Sequence, residues 1–513
     1  MADLAVTTVA PFKVVDLVSG FEVPSQAVTV GGLPRVRILA TNVPSVGYRV
    51  YEVRPGAGAS YSDAAIVTGG TLDNGIYRIT LGSRGQITSF VDHKDADRQL
   101  VGGSGAIHDF LSGSGAVTVE AQGPVSTTLK VVASGLPDHE TRVTLHRGLD
   151  RVDVDGRVTE NFGDLETYES TFALPGMTMR HEEVGMIATV ARLSQGGDYA
   201  EANTRTDYLT FNHFVDLSQA ARGVTISSPD CGFFRAGNST ITSLDGSTPK
   251  ITAVVGMQVD GPGLGIANQG GDSFFLDRFG FRTHTAYDPA AAMRFALEHQ
   301  SPLVATRVSG TGSAPLQPTT WSLLGIDNPD VILWALKPAE EGIGNGVIAR
   351  VWNLSESPRT MNLSWLGPPT AVVRRVTHIE TDLSSATFGA GVLTAALTRQ
   401  QLQSFRLQIA TPTAVTPAVP AVDFALSAYP NPTTGAAGAT LRFRLSSASL
   451  TRVSVFDVRG REIARPHDGL LSAGEHTVRW DARGRAGERI PAGVYLVRVD
   501  AGSRSDTKRL VIW

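Results

Sequence analysis

The chain has 513 residues, which is enough for several domains with a large core. Its 42% hydrophobic and 18% charged residues are globular values that exclude a disordered chain. The formal charge is −4, and it is unevenly divided, since residues 421–513 carry 14 Lys and Arg against 9 Asp and Glu. This distribution does not predict a nucleic-acid-binding surface. No apolar run approaches about 18 residues, so no membrane span is predicted. The single cysteine, Cys231, excludes an intramolecular disulfide and predicts a small buried thiol.

The first segment, residues 1–69, contains one clear strand signal. Residues 43–51 alternate after a turn bounded by proline, which is typical of a strand that ends a small domain. The N-terminus lacks a basic stretch followed by an apolar one, so no signal peptide is predicted.

The next segment opens with a β-hairpin pattern. Residues 76–81 and 86–91 alternate with period two, and Gly82 and Gly85 stand in the turn between them. An aspartate-rich turn follows at residues 92–97. This is the opening of a large all-β body, and residues 151–158 and 167–174 are predicted to be further strands of it.

These stretches resemble glycoside hydrolase family 38, the retaining α-mannosidases. Residues 72–100 are similar to the opening of the family's C-terminal β domain, and residues 23–26 and 43–51 are similar to the small sandwich before it. The resemblance implies a partial small β-sandwich over 1–69, without a recognisable opening strand, and a large mutarotase-like supersandwich over 70–409. We therefore expect the chain to begin inside a domain.

One helix is predicted in the body. Asp288 is its N-cap, Pro289 occupies the first turn, and Ser301-Pro302 ends it. The residues spaced for its buried face are Met293, Phe295, Ala296 and Leu297. The element falls where the family has a comparable segment.

A second module follows a linker. Residues 410–421 carry repeated prolines and no polar–apolar period, which predicts an extended linker. Residues 422–513 have the strand pattern of an all-β module, with an inward-facing set expected at Phe443, Val455, Phe456, Trp480, Val494 and Leu496. The module resembles the Ig-like domain of flagellar hook-capping proteins and of C-terminal sorting domains in type IX secretion.

No catalytic centre is predicted in this chain. Retaining glycosidases need two carboxyl groups about 5–5.5 Å apart, and the mannosidase family binds zinc through a His-x-Asp pair followed by Trp three residues later. The one His-x-Asp here is His93-Lys94-Asp95, and Arg98 stands in the place of the Trp. We expect a solvated turn there, no metal and no cofactor in this chain, and zinc only in a catalytic barrel that the chain lacks.

Three residues before the helix are candidates for a carbohydrate rim. In the family this sandwich lends side chains to the edge of the sugar site, which makes Arg282, His284 and Tyr287 rim candidates, with a structural corner as the alternative. His213 lies among aromatics and is predicted to be a satisfied core or rim histidine. His108, His181 and His467 each stand directly before a carboxylate residue in the sequence, which is too close for the two side chains to hold one metal.

The sequence leaves three functions open. The first is the non-catalytic β portion of an α-mannosidase-like hydrolase, which holds glycans or completes a barrel encoded elsewhere and carries a secretion or anchoring module. The second is an independent carbohydrate-active enzyme, which requires a histidine and a carboxylate that face each other from separate strands. The third is a structural spacer or adhesion protein. Expected partners are glycans, a catalytic mannosidase chain and the type IX machinery, with a secreted or cell-surface location.

Overall fold

A computed structural model describes residues 1–5, 11–30, 32–163, 165–257, 271–308, 319–368, 370–409, 426–433, 438–445, 447–485, 487–502 and 504–512. The chain divides into two compact units, Met1–Ala410 and Thr411–Trp513. In these ranges the one α-helix has 12 residues, and the other regular elements are strands and short 3-10 turns. The all-β prediction is confirmed. The predicted linker, residues 410–421, lies outside the described residues.

The N-terminal part of the first unit contains two three-stranded sheets, ordered β1-β5-β4 and β3-β2-β7. Their buried apolar side chains are Ala2, Val14, Val36 and Ile38. The sequence showed no opening strand, whereas β1 pairs with β5 over four residues, a run too short for a period to be recognised. The strands are β1 Ala2–Ala5, β2 Phe12–Asp16, β3 Glu22–Val23, β4 Ser25–Val30, β5 Leu33–Ile38, β6 Gly47–Arg49 and β7 Tyr51–Pro55.

The large sandwich combines a nine-stranded sheet, β13-β14-β15-β16-β25-β22-β21-β18-β19, with a five-stranded sheet, β12-β11-β10-β9-β8, and a four-stranded sheet, β17-β24-β23-β20. Its strands are β8 Ile66–Thr68, β9 Thr71–Asp73, β10 Tyr77–Leu81, β11 Ile87–Asp92, β12 Arg98–Gln99, β13 Val117–Ala121, β14 Ser126–Ala133, β15 His139–His146, β16 Val152–Val158, β17 Leu165–Thr171, β18 Thr178–Glu183, β19 Met186–Thr189, β20 Leu209–Thr210, β21 Phe214–Gln219, β22 Arg222–Ser227, β23 Phe233–Ala236, β24 Lys250–Met257 and β25 Phe275–His284.

The predicted hairpin is confirmed as β10 paired with β11. Gly85 in its turn has φ +80°, and a Cβ there would lie 2.6 Å from the Cβ of Thr141, so both the conformation and the space require glycine. Apolar side chains that point inward from the sheets form one core, in which Cys231 is buried as predicted.

The helix α1 (Pro289–Gln300) lies on the nine-stranded sheet and begins as the sequence predicted. The Asp288 carboxylate accepts hydrogen bonds from the backbone N–H groups of Ala290 and Ala291. Its buried side chains are Ala290, Ala292, Met293, Phe295 and Ala296, while Leu297 is only partly buried.

A second pair of packed sheets follows the helix, within the predicted body over 70–409. The two sheets have the orders β27-β30-β34-β33 and β28-β29-β35-β31-β32, around a separate core. The sequence does not predict which strands form these sheets, because alternation indicates that strands exist but not which strands pair. The strands are β26 Thr320–Ser322, which pairs with β6, β27 Leu324–Ile326, β28 Val331–Pro338, β29 Val347–Asn353, β30 Arg359–Trp365, β31 Thr370–Val376, β32 Asp382–Ser385, β33 Thr387–Gly389, β34 Val392–Leu397 and β35 Leu402–Ile409.

The C-terminal unit has its own core between sheets ordered β36-β37-β40 and β39-β38-β41-β42. Phe443, Val455 and Trp480 are buried as predicted, but Val494 and Leu496 are 40% and 39% exposed. Tyr495 and Val497 point inward instead, on the same face as Val499 and Ala501, whereas Val494 and Leu496 share the outer face with Arg498 and Asp500. The strands are β36 Ser427–Tyr429, β37 Ala439–Leu445, β38 Ser449–Asp457, β39 Glu462–Leu471, β40 Gly474–Trp480, β41 Gly493–Ala501 and β42 Arg504–Ile512.

Candidate functional site

A row of polar side chains crosses four adjacent strands of the nine-stranded sheet. The register sets Arg180 opposite Asp216, Asp216 opposite Thr225, and Thr225 opposite Arg282. Because successive side chains of a strand point to opposite faces, these four lie on one face while their neighbours enter the apolar core. This row was not predictable from the sequence, because it depends on pairing between distant segments.

Asp216 and His284 form the centre of this row. The imidazole Nε2 of His284 lies 2.8 Å from Oδ2 of Asp216, and the Thr225 hydroxyl donates to the same oxygen at 2.7 Å. Asp216 is completely buried, and its Oδ1 has no hydrogen-bond partner in the described part of the chain. Gly223 allows this approach, because a Cβ there would lie 2.5 Å from the His284 ring.

The surroundings of His284 favour the charged form of its imidazole. Burial alone lowers the pKa of the imidazole, but the hydrogen bond to Asp216 and the negative charge of that carboxylate outweigh burial, and the net pKa is raised. The second ring nitrogen, Nδ1, lies 3.2 Å from the Thr285 carbonyl. With both nitrogens engaged, His284 has no free position for proton transfer to a substrate.

Tyr287 lies beside this pair with an unused hydroxyl. Its ring centroid is 4.5 Å from the guanidinium carbon of Arg180, which is a cation–π contact. Nη1 of the same arginine donates a hydrogen bond to the Ser218 hydroxyl at 3.2 Å. The Tyr287 hydroxyl is buried without a partner among the described residues, and burial raises the pKa of this phenol well above its usual value. We call Arg180, Asp216, Thr225, His284 and Tyr287 the helix-covered cluster.

Arg282, the third rim candidate, supports the helix. Its Nη2 donates to the Ala291 carbonyl at 2.7 Å, and its guanidinium lies 4.8 Å from the centroid of the Phe295 ring. The structure thus brings Arg282, His284 and Tyr287 together at one end of α1. Their role at a carbohydrate rim stays a prediction.

A second histidine–carboxylate pair on the same face escaped the sequence analysis. His213 Nδ1 lies 2.9 Å from Oε2 of the fully buried Glu182, whose Oε1 has no partner in the described residues. The ring of Trp334 meets the imidazole edge-on, with 5.1 Å between centroids. His213 is therefore a partly exposed, hydrogen-bonded histidine whose partners come from a different strand and from the second pair of sheets.

The His93-Lys94-Asp95 segment is a short 3-10 turn capped by Asp92. His93 Nε2 lies 3.2 Å from the Asp73 carboxylate, and Nδ1 bonds the Asp97 carboxylate, so both ring nitrogens are occupied. Across the ranges that the structure describes, no group of three or more His, Cys, Asp or Glu side chains is arranged to hold a metal ion. These residues do not fit the zinc site of the mannosidase family.

Comparisons with solved structures show the fold of most of the chain. A protein in the glycosyl hydrolase family 38 from Enterococcus faecalis is 13% identical to this chain, with a TM-score of 0.56. The alignment covers 78% of this chain and 53% of the Enterococcus protein. An alpha-mannosidase from Enterococcus faecalis V583 is 14% identical with a TM-score of 0.56, over 78% of this chain and 51% of its own. The chain spans about half the length of these two proteins. At such identities the likeness establishes the fold alone.

The remaining comparisons are narrower. The FlgD Ig-like domain profile matches residues 428–505, within the C-terminal unit. A galactose mutarotase related enzyme from Lactobacillus acidophilus aligns with 42% of this chain over 98% of its own length, at 10% identity. The TM-score of this alignment is 0.28, which is too low to support an argument. No curated protein matches the sequence.

Among the described residues, no helix is long and apolar enough to cross a membrane.

Proposed function

We propose that this chain is the β region of an α-mannosidase-like glycoside hydrolase, which holds glycans or completes a catalytic barrel encoded elsewhere, and that its C-terminal unit serves secretion or anchoring. The observation that carries the proposal is the fold likeness to two family 38 structures over 78% of the chain. The FlgD Ig-like match at residues 428–505 supports the second half.

The geometry of the helix-covered cluster argues against a hydrolytic role for these residues. Hydrolysis with retention needs one carboxyl group to attack and a second to donate a proton. Asp216 is buried against His284 and Thr225, and α1 covers the face on which it lies. A carboxylate in this position orients its neighbours and does not attack a sugar.

The test of this half uses two assays on the purified chain. Aryl α-mannosides should not be hydrolysed above background, with or without added Zn²⁺ or Co²⁺, whereas the chain should migrate more slowly in a native gel that contains mannan. Turnover that persists through repurification and is abolished by a chelator would contradict the non-hydrolytic role. Unchanged migration in the mannan gel would remove the glycan-holding role.

The C-terminal unit is proposed to direct export through the type IX machinery. Its separate core, with Phe443, Val455 and Trp480 buried, supports independent folding. In a type IX-competent host, with a signal peptide supplied, deletion of residues 422–513 should leave the protein in the periplasm. Undiminished arrival at the cell surface after this deletion would reduce the unit to a spacer.

The Glu182–His213 pair favours a second candidate, an independent carbohydrate-active enzyme. Glu182 orients Nδ1 of His213 from a separate strand, and the histidine side chain is 23% exposed, so Nε2 can exchange a proton with a sugar hydroxyl at the edge of Trp334. In hemiacetal ring opening, Nε2 would take the proton of the anomeric hydroxyl as general base, while the ring oxygen receives a proton from water. Faster mutarotation of an aldose, lost on His213→Asn, would favour this candidate over the first.

A further inference from the structure

A polar cleft of about 520 Å³ opens on the large sandwich, apart from the helix-covered cluster. Its volume is within the range of about 300–1,000 Å³ that is typical of small-molecule sites. The cleft is lined by the hairpin turn, the loop before β13, strand β17 and the start of β24. The lining side chains that carry the argument are those of Arg84, Asp109, Leu111, Glu169, Asn238 and Lys250.

The floor of the polar cleft is a row of alternating charges. Asp109 and Glu169 exchange both backbone hydrogen bonds at 2.8 Å, so their side chains stand next to each other on one face. Arg84 binds the Asp109 carboxylate through two nitrogens, at 2.9 and 2.6 Å, and Lys250 approaches Glu169 at 3.3 Å. The order across the floor is therefore cation, anion, anion, cation, with no net charge.

This arrangement selects against charged ligands. An anion would approach two carboxylates, and a cation would approach a guanidinium and an ammonium group that are already paired. A ligand with donors and acceptors but no charge meets neither penalty. Lys250 and Glu169 are suited to such a ligand, because they share a single contact and retain further donors and acceptors.

The walls fit the remaining chemistry of a sugar. Ser104, Thr171 and Thr248 provide hydroxyls and Asn238 an amide, while the side chain of Leu111 is 59% exposed at the edge. Sugar rings present C–H groups as well as hydroxyls, so an exposed leucine beside polar walls matches both surfaces. Asp109 is fully engaged by Arg84 and by the Leu111 N–H at 3.0 Å, and it serves to fix the floor.

We propose that the polar cleft binds a neutral saccharide, whose hydroxyls bond Glu169, Lys250 and Arg84 and whose apolar ring face contacts Leu111. This inference rests on the proposed glycan-holding function and gives it a location. The cleft contains none of the residues that the sequence singled out as a rim.

The test is calorimetric titration of the full chain with α-1,2-mannobiose, cellobiose and maltotriose, and with glucuronate and glucosamine as charged comparisons. Glu169→Gln removes one charge-assisted hydrogen bond and should weaken binding by about tenfold or more. Ser104→Trp should block the cleft. Glu340→Gln is the matched control, because Glu340 also pairs with a lysine, Lys337 at 2.8 Å, outside the cleft.

The inference holds if a neutral saccharide binds saturably, if both cleft variants lose affinity, and if Glu340→Gln does not, with thermal unfolding unchanged in all three. If both cleft variants retain saturable binding, the assignment of the binding site to the polar cleft is overturned, and the proposed function stands. Tighter binding of glucuronate or glucosamine than of the neutral sugars would overturn the inference as well. Retardation by mannan without binding of the small sugars would overturn it while sparing the wider function.

Discussion

The helix-covered cluster and the polar cleft contain the same kinds of side chain in opposite circumstances. In the cluster, Asp216 is completely buried and binds His284 and Thr225. In the cleft, Glu169 and Lys250 have side chains that are 31% and 21% exposed and share one contact of 3.3 Å. A buried pair stabilises the strands that carry it, whereas a half-exposed pair can exchange its contact for a ligand. Side-chain chemistry alone therefore does not identify the functional site.

The largest effect is expected for Asp216→Ala. The substitution leaves His284 without its carboxylate inside the sheet, and breaking a buried pair in this way costs about 3–5 kcal/mol. Urea unfolding of the first unit measures the change. A loss below about 1 kcal/mol would mean that the pair is not the structural centre described here.

A smaller effect is expected for Tyr77→Phe, with Tyr287→Phe as its matched control. The Tyr77 hydroxyl receives a hydrogen bond from Lys94 at 2.9 Å and contacts Thr283 at 3.1 Å, so its removal should cost about 1–2 kcal/mol. The Tyr287 hydroxyl is buried without a described partner, so its removal should be neutral or stabilising. Equal destabilisation by both variants would show that Tyr287 has an undetected partner.

The pH dependence of stability should report on His284. Its folded pKa is raised above the ordinary value of about 6.5, so the folded state binds the proton more tightly than the unfolded state. The stabilisation is fully present below about pH 6.5 and is lost as pH rises through the folded pKa. The unfolding free energy of the wild type should therefore fall over this window relative to that of His284→Gln. Parallel curves would contradict a charged His284.

The smallest effect on stability is expected for Glu169→Gln. A loosely held, partly exposed pair contributes about 0.5 kcal/mol or less, and solvent screening reduces it further. Thermal unfolding should barely change, in contrast to Asp216→Ala. A loss similar to that of Asp216→Ala would place Glu169 among the structural residues and remove it from the binding site.

Local features of the fold were predictable from the sequence, and long-range ones were not. The β10–β11 hairpin and the Asp288 cap of α1 depend on neighbouring residues, so turn chemistry and capping were sufficient to predict them. The pairing of Asp216 with His284 joins residues 68 positions apart, and that of Glu169 with Lys250 joins residues 81 apart. Sequence spacing carries no information about which strands become neighbours.

Two further differences concern side chains within strands. Val494 and Leu496 were predicted to lie in the core, but they share their face of β41 with the charged Arg498 and Asp500, and Tyr495 and Val497 are buried instead. Arg282 was a rim candidate because of its position in the family resemblance, and in the structure its guanidinium reaches the Ala291 carbonyl and the Phe295 ring. The structure brings Arg282, His284 and Tyr287 together beside α1, and their role at a carbohydrate rim stays a prediction.

The most direct test of a binding, non-hydrolytic role is one NMR experiment. The full chain is mixed with 4-nitrophenyl α-mannoside and Zn²⁺, and saturation transfer to the sugar protons is recorded together with the release of nitrophenol. We predict transfer to the mannose ring protons, reduced by Glu169→Gln, with no nitrophenol above background. Release of nitrophenol that a chelator abolishes, from protein purified to constant specific activity, would contradict the account.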